Sequence, residues 1–437
     1  MVLSKPKIVM NMVLALFWVW CTMGFISEEL APFLLNLKSG LFFLIDALML
    51  LVGVLVLKNK WDKIFVISFI AITFVITCLY NKYGMVFYLN GLREFVYIIS
   101  LIPILRYLYN SSQERAFVEK FDKHLFIFLI VQAICITFQF VKYGANDHGG
   151  GSMGNGYSGF VSILIYLISF YLMKKRMDPE RYIGSLIENK WLLILLYPTF
   201  LNETKISFIF LLLYFILLMP IDKKMFMRLV FSLPIGIVLL VLVFNVYLSV
   251  TGNKDDVMSV DYYMNEYLMA GDDNDIVDWM EHLYDHGEDL AIDGSNDLPR
   301  FTKIALIPEL HAEYPGHVIT GYGVGHFKGG TSIERSKFYL ENEWLLKGSI
   351  PYSYQMYIQG GFIALAYFIM MWFRLVSLKL GDKKELGVIC YITILTLIIL
   401  LYNDFFAYCF PTLVFFFIFS QALRLKSTNE INKIETN

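Results

Sequence analysis

Three cations stand where a charge beside apolar sequence is costly unless something there needs it: Arg93, Lys205 and Arg300. Arg93 lies in Asn90-Gly91-Leu92-Arg93-Glu94-Phe95, at the opening of an apolar run. Lys205 belongs to Asn202-Glu203-Thr204-Lys205, the whole link between two tightly spaced apolar runs. Arg300 follows Ser295-Asn296-Asp297-Leu298-Pro299. Asp297 is a natural N-cap and Pro299 suits a first helical turn. Arg300 therefore projects from a helix start whose unpaired amides already attract anions. Cations gathered on one membrane face suit a lipid pyrophosphate, whose charge lies at headgroup depth. Taken singly, Arg93 and Lys205 read equally well as snorkelling anchors.

About twenty residues after Arg300 comes Gly321-Tyr322-Gly323-Val324-Gly325-His326-Phe327. Alternating glycines let a backbone approach a ligand or another segment closely. The spacing is not the GxGxxG of dinucleotide sites. A second glycine-rich stretch, Gly149-Gly150-Gly151-Ser152-Met153-Gly154-Asn155-Gly156, precedes another apolar run. His282 and His286, four apart near Asp278 and Asp285, have metal-ligand spacing, but a solvated helix face is the simpler reading. Asp272-Asp273-Asn274-Asp275 reads as an N-terminal charge cluster ahead of that helix. Asp46 is a carboxylate midway along an apolar run, either functional or a helix-to-helix contact. Cys21, Cys78, Cys135, Cys390 and Cys409 all fall in apolar runs without a CxxC pair, so they read as packing residues and no zinc site is expected.

The elements that must position these groups are membrane spans. Hydrophobic residues make up 57% of the 437 and charged residues 17%, well below the quarter usual in soluble domains. Twelve runs approach the ~20 residues a span needs: 8–26, 36–57, 64–80, 92–110, 124–142, 157–173, 187–201, 204–220, 229–250, 352–373, 385–402 and 404–423. With both termini cytoplasmic, 24 of the 36 Lys/Arg fall in inside segments, as the positive-inside bias requires. The reading is an all-α polytopic membrane protein. Residues 1–250 carry spans 1–9, 251–351 form one large, partly helical extracytoplasmic loop, 352–424 carry spans 10–12, and 425–437 are a cytoplasmic tail. Residues 251–350 hold seven Lys/Arg against nineteen Asp/Glu, a net of −12, while the whole chain carries −2.

The order of these features resembles the O-antigen polymerases (Wzy type) and the related O-antigen ligases. The resemblance runs from about 90 to 365. It consists of Leu92-Arg93 opening a span, Gly154-Asn155 entering the next outward one, and Thr204-Lys205-Ile206-Ser207 between paired spans. A large loop follows in which an Arg300-led helix precedes the glycine element, and then Ser353-Tyr354-Gln355 with Gly360-Gly361. Ligases carry His-Asn just before the Ser-Tyr step. This chain has Ile350-Pro351, which weighs against that branch.

The resemblance implies a glycosyltransferase of the bacterial inner membrane with its site facing the periplasm. It would move a growing glycan from undecaprenyl diphosphate onto the non-reducing end of a new lipid-linked repeat unit. Arg300, Arg93 and Lys205 would stabilise the leaving diphosphate, with Arg335 a further cation. His326 is the expected general base, with Glu341 and Glu343 as rivals. Gly321, Gly323 and Gly325 would approach the substrate, Glu343 would bind it, and Tyr322 and Trp344 would stack on sugar rings. No metal or cofactor is expected. The expected partners are the lipid-linked oligosaccharide, membrane lipid and a membrane protein regulating chain length, not nucleic acid. Three alternatives remain. One is a ligase acting on lipid A-core. Another is a polyprenyl-phosphate-sugar transferase using Glu28-Glu29. The third is a lipid-linked oligosaccharide flippase without chemistry.

Overall fold

The computed structural model describes residues 4–144, 149–178, 181–202, 206–218, 300–327, 335–346, 348, 350–378 and 386–423. The described residues are helical throughout, with no strand. Among the described residues, six helices are long and apolar enough to cross a membrane: Lys5–Leu30, Pro32–Leu55, Lys60–Tyr80, Glu114–Tyr143, Ser158–Arg176 and Tyr352–Val376. Met85–Phe95 and Tyr97–Tyr109, bent by 62°, make a seventh if they count as one crossing.

The expected twelve are not reached among the described residues, for identifiable reasons. The run at 187–201 forms the short helices Lys190–Ile194 and Pro198–Leu201, and Pro198 opens the second of them. The run at 404–423 becomes helical only at Cys409, because Asn403–Tyr408 is a turn with its own 3-10 segment. The span expected at 229–250, the loop as far as Pro299 and the tail at 425–437 lie outside the described residues, as do Lys205, His282 and His286.

The helices that matter below are α1 (Lys5–Phe25), α2 (Leu35–Leu55), α3 (Lys60–Phe74), α4 (Met85–Gly91), α5 (Ile102–Tyr109), α6 (Glu114–Tyr143) and α7 (Ser158–Arg176). The chain returns in α8 (Arg300–Ala305), α9 (Ile307–Glu313), α10 (Lys337–Glu341), α11 (Tyr352–Val376), α12 (Leu386–Tyr402) and α13 (Cys409–Ala422). Helix α7 is the central post, with 83% of its apolar window buried against 50% or less for the other candidate spans. It packs against α6, α12 and α13. Lipid supplies no hydrophobic drive between helices, so close ring packing carries much of their association. Phe170 stacks on Tyr391 at 4.0 Å, and Phe121 meets Phe417 at 4.4 Å.

Residues 300–346 carry a second, smaller core. Leu306, Leu310, Tyr322, Phe338, Tyr339, Leu345 and Leu346 pack with Tyr354 and Ile358 of α11. The described part of the loop is thus seated on α11 by apolar side chains.

Candidate functional site

The glycine element is wedged into a broken helix. Within α11, Gly361 adopts φ 56°, ψ −150°, which interrupts the helical ladder. Four backbone groups freed by the break are paired by the incoming segment. Tyr322 N–H donates to Ile358 O (2.8 Å), and Gly323 N–H donates to Gln359 O (3.1 Å). Phe362 N–H and Ile363 N–H donate to Val318 O and Ile319 O at 3.3 and 3.2 Å. A discontinuous helix can persist at membrane depth only when its loose ends are satisfied in this way. Gly321 is at φ 65°, and a Cβ there would overlap the backbone of Gln359, Gly360 and Gly361. On the other side, a Cβ on Gly91 would overlap the backbone of Val324 and Gly325. Thus Gly321 and Gly325 serve as close-approach positions, and what they approach is the protein itself.

This wedge sets the surroundings of the Asn90–Phe95 motif. Arg93 donates from Nε to Asp46 Oδ2 (3.1 Å) and from Nη1 to Asn90 Oδ1 (3.1 Å), and its guanidinium lies 4.9 Å over the Phe43 ring. Asp46, midway along α2, and Arg93 are therefore one ion pair. The next residue, Glu94, is 1% exposed. Its Oε2 accepts from Gln355 Nε2 at 2.7 Å and from Gln359 Nε2. Gln359 in turn accepts from Gly325 N–H at 2.7 Å. One amide thus couples the buried carboxylate to the glycine element, and its two partners fix which way it points.

Arg300 is held differently. Its guanidinium sits 4.4 Å from the centre of the Tyr402 ring, and its Nε is buried with no hydrogen-bond acceptor among the described residues. Stacking holds the plane without consuming the charge. Tyr402 ends α12 just before the turn Asn403–Tyr408, and several candidate elements meet that turn. Gly159 of α7 lies against Tyr402 and Asn403. Asn403 O accepts from Tyr352 N–H (3.0 Å) at the start of α11. Leu92–Phe95 packs on Phe405–Ala407. Asn202, three residues before Lys205, donates to Ser158 O and to Ser162 Oγ on α7 at 3.2 and 2.9 Å. Arg93 and Arg300 thus border one turn through neighbouring residues rather than through a shared contact.

That turn contains Asp404, a half-buried carboxylate that hydrogen-bonds the Tyr408 hydroxyl. The Tyr157 ring meets Tyr408 edge to face at 5.7 Å. Rings of Trp20, Tyr157, Phe160 and Tyr408 line the same region, with Phe160 and Tyr408 edge to face at 5.0 Å. Glu28 is committed to structure, because it pairs with Lys38 (2.7 Å) and accepts from Asn155 N–H (2.6 Å). Glu29 pairs with Lys142 at 2.7 Å. Ser152, in the second glycine-rich stretch, is buried against α1 through its bond to Cys21 O at 2.5 Å.

His326 lies in the interior, 1% exposed, with both ring nitrogens engaged. Nε2–H donates to Tyr322 O (2.9 Å), so Nδ1 accepts from Ser336 Oγ (2.6 Å). Burial pulls its pKa from 6.5 down to about 4. In this arrangement no nitrogen is left to take a proton from an acceptor hydroxyl. Tyr322 is enclosed as well, stacked on Phe338 at 4.2 Å and on His317 at 4.5 Å, with its hydroxyl 3.1 Å from His311 Nδ1. Both ring faces meet protein rather than a sugar. Arg335 and Glu343 pair with each other at 3.1 Å on an exposed surface, and Arg335 stacks over Tyr339. Glu341 pairs with Lys337 at 3.0 Å. Gly323 sits against Thr77, whose hydroxyl accepts from Val324 N–H at 3.0 Å. Among the described residues no group of His, Cys, Asp and Glu could hold a metal ion.

The state of His326 has a measurable consequence. An unfolded chain binds a proton on this histidine below pH ~6.5, whereas the folded chain does so only near pH 4. Stability is therefore full above the unfolded value and falls as pH drops through that window, by up to about 3 kcal/mol. Thermal unfolding between about pH 7.5 and about pH 4.5 should show the decline, and His326→Gln should flatten it. An equal slope in the variant would assign the decline to another group.

Sequence reasoning passed over two carboxylates and two amides that the structure makes central. Glu94 adjoins Arg93 in a motif valued for its cation. Gln355 and Gln359 show the i, i+4 spacing that puts two polar side chains on one face of an apolar helix. Asp404 stands at the head of an apolar run and so reads as a span terminus. Compared with known proteins, the chain matches no family model and no curated protein.

Proposed function

We propose that this chain is a membrane glycosyltransferase that polymerises lipid-linked oligosaccharide repeat units. In this reading the growing glycan passes from undecaprenyl diphosphate to the non-reducing end of a new unit, on the extracytoplasmic side of a bacterial inner membrane. The observation that carries the reading is Arg300, a guanidinium fixed by the Tyr402 ring, with no carboxylate paired to it among the described residues. A cation held in that way is preorganised for charge that develops on a departing diphosphate. Arg93 supports it from Leu92–Phe95, which packs on the same turn, although Asp46 already takes part of its charge. For the base that receives the acceptor hydroxyl's proton, Asp404 suits the geometry better than His326. It is half-buried, two residues from the ring that holds Arg300. Lys205 lies outside the described residues.

One observation favours a second reading. Two discontinuous helices, Met85–Tyr109 and α11, meet at the buried Glu94. Broken helices around a buried carboxylate also suit a carrier that moves its substrate without chemistry. Purified protein in liposomes loaded with radiolabelled lipid-linked repeat units separates the two. Lengthened glycans support the polymerase, whereas movement of label across the bilayer without lengthening supports the carrier and overturns the proposal.

A further inference from the structure

The chain carries a second polar site, at the end of the bundle remote from the glycine element. Asp62, 1% exposed, is clasped by two arginines. Arg106 donates to it from Nε at 2.8 Å, and Arg374 donates from Nη2 at 2.7 Å. Arg106 also reaches Ser377 Oγ at 2.9 Å. One carboxylate against two guanidiniums leaves the group with a net charge of +1. The Nη1 of Arg374 is buried and has no hydrogen-bond partner among the described residues.

A cleft of about 490 Å³ opens beside this group, and Lys58 stands at its mouth, exposed. Its lining joins the start of α1, the link between α2 and α3, and the link between α5 and α6. Asn59, Asn110, Ser111 and Ser112 add neutral polar groups to Arg106, so Asp62 is the one acidic residue in the wall. Ser111 Oγ accepts from Gln113 N–H at 3.1 Å, which stiffens that rim. The cleft is therefore cationic, with the Lys58 ammonium, the Arg106 guanidinium and the asparagine amides as hydrogen-bond donors and Ser111 held in place by its bond to Leu108 O, the chemistry that recognises a phosphate oxyanion.

Its depth distinguishes between sources of phosphate. Trp61, just before Asp62 on the outer face of α3, is 74% exposed, and Ile64 and Ile67 below it are 50% and 62% exposed. Exposed Ile residues beneath an exposed Trp mark the passage from acyl chains to headgroups. Leu55, beside the cleft, is also exposed at 71%. A ligand in the cleft would thus have its charge at headgroup level and an apolar surface beside it for a tail. Basic pockets between membrane helices at this level recognise acidic headgroups.

We propose that the cleft bounded by Lys58, Arg106 and Ser111 binds a phosphate-bearing anion, supplied by the headgroup of an anionic membrane lipid. Lys58 closes over the phosphate from the rim, and the Arg106–Asp62–Arg374 cluster provides fixed positive charge behind it. The site is independent of the glycan reading above.

The test uses the full-length purified protein in detergent, titrated with phosphatidylglycerol, phosphatidylcholine and inorganic phosphate and followed by native mass spectrometry. Lys58→Glu changes the rim and spares the Asp62 cluster. Lys60→Glu makes the same charge change at an exposed residue outside the cleft wall. The expected result is retention of phosphatidylglycerol over phosphatidylcholine by the wild type, with affinity falling about tenfold in Lys58→Glu and holding in Lys60→Glu. Equal weakening by both variants would overturn the site, since general surface charge would then suffice. Inorganic phosphate displacing phosphatidylglycerol at equal concentration would overturn the lipid as its source.

Discussion

Arg300→Ala should leave the protein folded and inserted, yet lower the rate of glycan lengthening by about 10²–10³-fold. The side chain stacks on Tyr402 and makes no ion pair with another described residue, so its removal strands no buried carboxylate there. Thermal unfolding should therefore move little while chain growth fails, and cells should display single repeat units in place of long chains. Arg300→Lys should restore little. A lysine cannot stack a planar fork on the ring, and it presents a point charge where two oxygens are to be bridged. Normal ladders in Arg300→Ala would remove this residue from the site. Arg93→Ala is a less clean experiment, because it also leaves Asp46 without its 3.1 Å partner.

Gly321→Ala should be strongly disruptive. At φ 65° an alanine loses about 1–2 kcal/mol of backbone preference. Its methyl would also overlap three backbone positions of α11, none of which can rotate away. Relief requires lifting the segment out of the helix break. That severs the bonds made by Tyr322, Gly323, Phe362 and Ile363, each contributing about 1 kcal/mol when made and more when left unpaired. The expected loss is about 4 kcal/mol or more, read as a lower unfolding midpoint and faster proteolysis of residues 318–327. Gly40→Ala provides the contrast. Gly40 lies within α2 with ordinary helical φ and nothing within 4 Å of the added carbon. That variant should be neutral or stabilising by up to about 1 kcal/mol. Equal stability of Gly321→Ala and Gly40→Ala would mean the wedge is not rigid.

These two residues also show how far the sequence could be read. The alternating glycines announce a close approach, and Gly360-Gly361 announces another. That the two interlock depends on a tertiary fit that spacing does not encode. In the same way Asp46 and Arg93 are each conspicuous in apolar surroundings, but their pairing across 47 positions becomes visible only with coordinates. The helical class follows from composition and span length. The number of crossings does not, because short runs such as 190–201 and 409–422 carry apolar content without the length of a full span.

The loop misleads for a different reason. Its charge argues for a solvated surface, and that makes His326 and Tyr322 look available for chemistry. Most of the acidic residues lie before Arg300. The remainder encloses a compact core around Tyr322 and Phe338, in which a histidine with two satisfied nitrogens is a packing element. Asp404 escapes notice for the opposite reason. Read as the head of an apolar run, it belongs instead to a turn that delays the helix to Cys409. The residues that best fit acid–base and anion chemistry thus come from helix ends and a short link, with the glycine element supplying the fit between them.

In the proposed function Arg300 grips a lipid diphosphate. The most direct measurement compares binding of undecaprenyl diphosphate and undecaprenyl monophosphate by the purified wild type and by Arg300→Ala. The wild type should clearly prefer the diphosphate, and the variant should lose that preference. The same preference in both proteins would contradict it.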